Sequence, residues 1–360
     1  MMKWSKLPDL PLGASEGRLN GVSAPFAGIS DGAMIVAGGC NFPDIPVAEG
    51  GTKKYYDEIY GYINEKWECV GKLPEKIAYG VSASTPEGVV CVGGAGEKGA
   101  SNRVFIIRMK GGKASIELLP DLPESIDNAS CAYWGGKIYV AGGNADGKPS
   151  MKLYRLENPM CNLGGDCSAS WTRLADLPGK ARVQPCMAAC EGKLYLAGGF
   201  CPASEGEAPI ASAELLVYDI DTNHWSIESS VPGFHDGSGR TFTGGSVVSC
   251  SFSFGNYIIF AGGVNQTIFL DAVKSPMTPE ESKCYLTHPV SWYRFNREML
   301  SYNISTKEWH IIGESDNLAR AGAAMLVYGE EIVIINGELK PGIRTPEVNI
   351  TSGLIELLKD

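Results

Sequence analysis

A short apolar strand closed by a glycine pair recurs six times along this chain, at Met34–Gly39, Val89–Gly94, Ile138–Gly143, Leu194–Gly199, Ile258–Gly263 and Ile332–Gly337, the last with Asn336 in place of the first glycine. Each copy is rich in β-branched residues, which reads as a buried strand running into a bend. Self-similarity at a fixed period points to a repeat architecture.

The segments between the copies say which architecture. A second strand carries a tyrosine and a tryptophan follows about seven residues later, as in Tyr218 with Trp225 and Tyr302 with Trp309. The tryptophan segment runs into a Leu-Pro corner, in Trp4–Pro11, in Trp171–Pro178 and, with isoleucine for tryptophan, in Ile116–Pro123. The pattern resembles the kelch repeat, about 50 residues folded as one four-stranded propeller blade. The chain begins at the Trp4 strand and ends beyond the sixth glycine pair with Val348–Ile350 and Leu354–Leu357, which have no tryptophan segment behind them. The expectation is therefore an all-β, six-bladed kelch-type β-propeller. Its N-terminal strand closes the last blade with one continuous ladder, and residues 1–360 form a single domain.

Composition bounds the function. With 360 residues, 44% of them hydrophobic, the chain has material for a large core. A net charge of −10 and the lack of Lys/Arg runs argue against nucleic acid or an anionic membrane as partner. The start, Met1–Pro8, has no apolar stretch for a signal peptide and no other stretch could span a membrane, so a soluble, cytoplasmic protein is expected. Eleven cysteines is an odd number, and Cys91, Cys131, Cys186, Cys190 and Cys250 fall in predicted strands as small buried hydrophobes. Cys161 and Cys167 flank a Gly-Gly loop where a disulfide is one reading, and no Cys/His set has zinc-ligand spacing. No metal or organic cofactor is expected, and the sequence leaves a homodimer open.

In a ring of blades, loops distant in sequence converge, so the informative loops are those that break the repeat. The sixth copy breaks it most. Glu338 follows its Asn-Gly pair, and Arg344 comes six residues on, after the Pro341-Gly342 turn. A carboxylate and a guanidinium on one tight turn suit a ligand bearing its own carboxylate, with the glutamate moving protons; the competing reading is a surface ion pair. Asn265 and Gln266 after the fifth pair offer amides for hydroxyl or N-acetyl groups, or simply form a turn. Arg182 and Arg320, near predicted strand starts, would with Arg344 make a funnel positive for an anionic ligand. Tyr79 occupies an equivalent strand start, where it stacks on a sugar or belongs to the core. The insertion from Thr267 to Trp292, with Tyr285 and His288, reads as a lid or as a disordered loop.

Several stretches resemble the bacterial N-acetylneuraminate epimerase (sialic acid mutarotase) family: Gly262–Gln266 with Ile268-Phe269, Ala321–Ala324, Asn336–Glu338 with Lys340–Gly342 and Arg344-Thr345, Phe26–Ser30, and Ala78–Ser82. The resemblance implies a proton-accepting role for Glu338 and an essential partner role for Arg344. It also implies a circular permutant, since that family begins at a segment resembling Leu122–Glu124 and ends at one resembling Gly111–Lys113. The implied activity is interconversion of the anomers of a small sugar acid by ring opening and reclosure, without a cofactor. The alternatives are a non-catalytic kelch propeller that binds a protein or an acidic sugar, and a copper oxidase, for which His224 and His310 lie on outer strands.

Overall fold

The structure is a computed structural model that describes residues 2–14, 20–157, 170–235 and 238–359. Cys161 and Cys167 lie outside the described residues; within them, the cysteines are free thiols. The apolar repeat strands become the second strands of six antiparallel sheets, each with a core path of four strands. The sheets are led by Phe26–Ser30, Val81–Thr85, Ser130–Trp134, Val183–Cys190, Gly245–Phe252 and Ala324–Tyr328. The last sheet takes its outer strand from the N-terminus, Lys3–Leu7 pairing with Val348–Ser352 from Lys3 opposite Ser352 to Leu7 opposite Val348.

One expectation is corrected. The repeat predicts a closed six-bladed propeller, but the ladders stop at the edges of the individual sheets and no sheet is closed into a barrel or a propeller. The fold stands as all-β, built of many small sheets. The physical reason is that strand pairing saturates within each sheet, and neighbouring sheets meet instead through side chains and single hydrogen bonds.

Three recurring contacts make those seams. The second residue of the glycine pair donates its N–H to a carbonyl entering the following sheet: Gly39 to Ile77 and Gly94 to Ile126 at 2.8 Å, Gly263 to Arg320 at 2.9 Å, and Gly337 to Val22 at 3.0 Å. Glycine is required for the approach. At Gly142, with φ of +70°, a Cβ would lie 2.5 Å from the Arg182 carbonyl. The repeated tryptophan packs against the tyrosine opposite it in a tilted pair, with Tyr218 and Trp225 rings 5.1 Å apart. Its indole N–H reaches the corner leaving the preceding sheet, Trp67 donating to Pro8 O at 2.9 Å, Trp171 to Pro120 O at 2.8 Å and Trp225 to Ala175 O at 2.9 Å. The Leu-Pro corner is thus where a tryptophan from the next sheet is fastened. Between the sheets, side chains such as Val90, Val140, Leu216 and Phe260 are fully or almost fully buried, so the sequence alternation is replaced by near-continuous apolar runs.

The third contact joins the points at which the chain enters the leading strands. Tyr79 N donates to Ala24 O (3.1 Å), Asn128 N to Tyr79 O (2.8 Å), Gln184 N to Asn128 O (2.8 Å), Gly244 N to Gln184 O (3.1 Å), Gly322 N to Gly244 O (2.8 Å) and Ala24 N to Gly322 O (2.7 Å). These six backbone hydrogen bonds form a complete circuit. All six residues sit at positive φ, between +52° and +67°. Among the described residues no helix is long and apolar enough to cross a membrane.

The seam contacts give a stability expectation. Trp225→Phe removes the bond to Ala175 while keeping most of the ring, and should cost about 1 kcal/mol. Trp225→Ala should cost about 3–5 kcal/mol. Equilibrium urea unfolding of the two variants separates the bond from the packing.

Candidate functional site

Glu338 and Arg344, six residues apart in sequence, are brought face to face by a two-stranded ribbon of Glu338–Lys340 and Ile343–Arg344. The ribbon is held in place by Glu338 itself, whose backbone N–H and carbonyl both pair with Ala321, at 2.8 and 2.9 Å. Glu338 Oε1 accepts the Gly342 N–H at 2.8 Å and lies 2.9 Å from Arg344 Nη1. The Arg344 side chain is only 4% exposed, against 24% for Glu338. Its Nε donates to Ser23 Oγ at 3.1 Å and its guanidinium lies 5.1 Å from the Phe42 ring centroid. Nη1 is close enough to Glu338 for an ion pair but is not aligned to donate a hydrogen bond. The arginine is therefore a buried, fixed charge behind a partly exposed carboxylate.

That carboxylate forms part of the wall of a cavity of about 570 Å3, within the usual range for small-molecule sites. All six circuit residues line it, together with the flanks of the leading strands. Its polar wall groups include Glu338, Tyr79, Ser23, Asn128, Gln184 and Asn265. Gln184 Nε2 donates to Asn128 Oδ1 at 3.1 Å, and Asn128 Nδ2 donates to Asp127 Oδ1 at 2.6 Å. Two amides are thus held in place on the wall.

The opposite wall comes from the long insertion, which is helical: α1 spans Gln266–Val273 and α2 spans Pro279–Thr287, followed by a 3-10 turn at Val290–Tyr293. Thr278 starts α2 with a capping box, its hydroxyl accepting from Glu281 N and the Glu281 carboxylate accepting from Thr278 N. Lys340 ties the end of α2 to the Glu338 ribbon by donating to Leu286 O at 3.0 Å and His288 O at 2.6 Å. Gly342, at φ of +84°, lets the ribbon turn pass against Val47, where a Cβ would fall 2.1 Å from Val47 Cγ1. Phe269, Met277, Tyr285, Leu286 and Tyr293 supply the apolar side of the cavity.

The other expected residues separate. Tyr79 is on the wall, its backbone held in the circuit. Asn265 also reaches the wall, but its side chain caps α1 by accepting from Ile268 N at 3.2 Å and donates to Ser238 O at 3.2 Å. Gln266 lies in the first turn of α1, outside the wall.

Neither Arg182 nor Arg320 is brought to the wall. Arg182 donates to Glu214 O at 3.0 Å and pairs with the Glu214 carboxylate at 3.1 Å. Arg320 donates to Asn336 O at 3.0 Å and Glu347 O at 3.1 Å and pairs with the Glu347 carboxylate at 3.1 Å. Burial lowers each guanidinium to about 10. The positive funnel expected from three arginines is therefore corrected: two are spent on turn carbonyls and the third stands behind Glu338.

Sequence reasoning did not single out Gln184, Asn128, Ser23, Cys40 or Lys53 as site residues. The available signal was position, since Gln184 lies two residues beyond Arg182 at a strand start. Among the described residues no group of three or more His, Cys, Asp and Glu is placed to hold a metal ion.

Comparison with known proteins adds a second line of evidence. The family described as N-acetylneuraminate epimerase matches residues 1–116 and 119–355. N-acetylneuraminate epimerase of Haemophilus influenzae (strain 86-028NP) is 31% identical over 245 residues, covering 66% of this chain and 60% of that protein. The protein of the same description from Escherichia coli O157:H7 is 30% identical over 244 residues, covering 65% and 60%. A solved structure described as "Structure of YjhT" aligns with a TM-score of 0.51 at 28% identity, over 63% of this chain and 62% of that one. The chain spans about 60% of the length of these curated relatives.

Burial pushes the Tyr285 hydroxyl up to about 12, with smaller contributions from Tyr293 and Glu338. Because the folded value lies above the ordinary value near 10, the stability that Tyr285 contributes is complete below about pH 10 and is lost as pH rises toward about 12. Absorbance titration at 295 nm of the protein and of Tyr285→Phe should show one late-titrating phenol missing from the variant.

Proposed function

The chain belongs to the N-acetylneuraminate epimerase family, and on that premise we propose that it interconverts the α and β anomers of N-acetylneuraminate by acid/base ring opening and reclosure. The observation that carries the reading is the Glu338 carboxylate, which lines a small-molecule cavity and is held by both Arg344 and the Gly342 N–H. A positioned carboxylate is the group such a reaction requires. It takes the proton of the anomeric hydroxyl as the carbonyl forms, the ring bond breaks and the ring oxygen takes a proton from a second donor. Once the open chain has turned its other face, the hydroxyl attacks, gives that second proton back, and Glu338 returns its own to the carbonyl oxygen.

Arg344 keeps Glu338 in place, its guanidinium standing behind the wall 2.9 Å from Glu338 Oε1. The apolar face of the cavity, from Phe269 to Tyr293 on the helical insertion, limits water around the reacting centre. The scaffold alternative, a propeller offering apolar loop tips to a protein, has less support. The three most exposed large apolar side chains, Leu118, Ile227 and Ile311, sit on the outer strands Lys113–Leu119, His224–Ser230 and Glu308–Glu314, while Ile45 and Met151 in loops and Val290 and Trp292 in the insertion are less exposed.

Proton NMR of the α anomer of N-acetylneuraminate, released in place by a sialidase, tests the reading. The protein should speed the approach to anomeric equilibrium, and Glu338→Gln should slow the catalysed part by about 10²–10⁴-fold while leaving the fold intact. Equal rates with and without the protein would overturn the assignment.

A further inference from the structure

Ring opening of a cyclic sugar needs two proton transfers at once, one from the anomeric hydroxyl and one to the ring oxygen, and Glu338 serves the first. The cavity wall offers a second group with unusual surroundings. Tyr79 Oη accepts a hydrogen bond from the Lys53 ammonium at 2.7 Å and another from the Cys40 thiol at 3.2 Å. A phenol oxygen has two lone pairs and one proton to give. Both accepting positions are filled, among the described residues Tyr79 Oη is not seen to donate a hydrogen bond, and Tyr79 is one of the residues that line the cavity. That proton is left for a ligand.

Two further observations place Tyr79 in the same unit as Glu338. A chain of contacts joins them: Glu338 Oε1 lies 2.9 Å from Arg344 Nη1, Arg344 Nε donates to Ser23 Oγ at 3.1 Å, and Ser23 Oγ lies 3.9 Å from Cys40 Sγ, which donates to Tyr79. The backbone of Tyr79 is also held at φ of +60°, a left-handed conformation that a bulky side chain adopts only at a cost. Strain of this kind persists where the surroundings over-determine it, and it gathers at functional sites. Here the circuit bonds through Ala24 and Asn128 impose it and fix where the phenol stands.

Resting on the mutarotase reading, we propose that Tyr79 is the second proton-transfer group of the site, giving its phenolic proton to the ring oxygen while Glu338 takes the proton of the anomeric hydroxyl. The electron pair of the anomeric O–H bond forms the carbonyl, the bond from the anomeric carbon to the ring oxygen breaks, and its pair goes to that oxygen, which takes the Tyr79 proton. The Lys53 ammonium balances the phenolate so formed. On reclosure the phenolate recovers the proton from the attacking hydroxyl, and Glu338 returns its own to the carbonyl oxygen, so nothing is consumed. Burial holds the resting phenol well above its ordinary value, which keeps it loaded with its proton at neutral pH.

The test compares catalysed anomerisation of N-acetylneuraminate by the full chain and its variants. Tyr79→Phe keeps the ring and should lower kcat by about 100-fold with KM changed by less than about threefold. Lys53→Met should lower kcat by about tenfold at unchanged KM, and Lys53→Arg should recover most of it, which a merely structural lysine would not show. Tyr79→Phe combined with Glu338→Gln should fall little below the worse single variant, as expected of groups acting in one step. A Tyr79→Phe enzyme within about threefold of wild type in kcat, or altered in KM alone, overturns the inference while the mutarotase reading stands. A wild-type protein with no effect on the rate overturns both.

Discussion

Six backbone hydrogen bonds, passing from Ala24 through Tyr79, Asn128, Gln184, Gly244 and Gly322 and back, are the constraint on which the site depends. Each sheet satisfies its own ladders and has no strand pairing with its neighbours, so the relative placement of the leading strands rests on these bonds, the glycine-pair seams and the packing between sheets. Each bond requires a residue in the left-handed region, where glycine is at ease and other residues are not. Four of the six are not glycine. The stabilisation gained by filling buried backbone donors and acceptors offsets that cost, because an unpaired peptide group in such a place would be more expensive still.

The circuit also explains why the cavity is polar at points and apolar elsewhere. Its non-glycine members place a phenol and two amides on the wall, and its two glycines leave the wall open. Beside them stands the Glu338 ribbon, itself hydrogen-bonded to Ala321 next to the circuit residue Gly322. Lys340 then binds the end of α2 to that ribbon through two carbonyls, while Gly342 lets the turn approach Val47 on a separate stretch of chain. The end of the insertion and the carboxylate are thus tied to one short turn.

Much of this was legible in the residues. The glycine-closed strands, the tyrosine–tryptophan pairs and the Leu-Pro corners all became repeated elements, and the one repeat that carries a charge after its Asn-Gly pair supplied the carboxylate on the cavity wall. Arg182 and Arg320 are not brought to the cavity, and Asn265 reaches it with its side chain engaged as a cap, for a common reason. Arg182, Arg320 and Asn265 are polar residues near element starts, and such residues are equally suited to bind a ligand or to satisfy the loose backbone groups found there. The structure shows the second use, with both arginines on turn carbonyls and the asparagine capping α1. The expectation of a closed propeller also went beyond what repeats imply, since repeats specify sheets and say little about how their edges meet.

The sequence by itself determined what is local: which segments are strands, where glycine must stand, and that Glu338 and Arg344 share one tight turn. These follow from the conformational limits of a few neighbouring residues. Only the tertiary structure decided which polar side chains face the cavity and which are consumed by backbone. Ser23, Cys40, Lys53, Tyr79 and Arg344 come from five places well apart along the chain, and their hydrogen bonds exist only once the sheets have packed. Direction of a side chain depends on what surrounds it in space, and that is a sum over contacts distant in sequence.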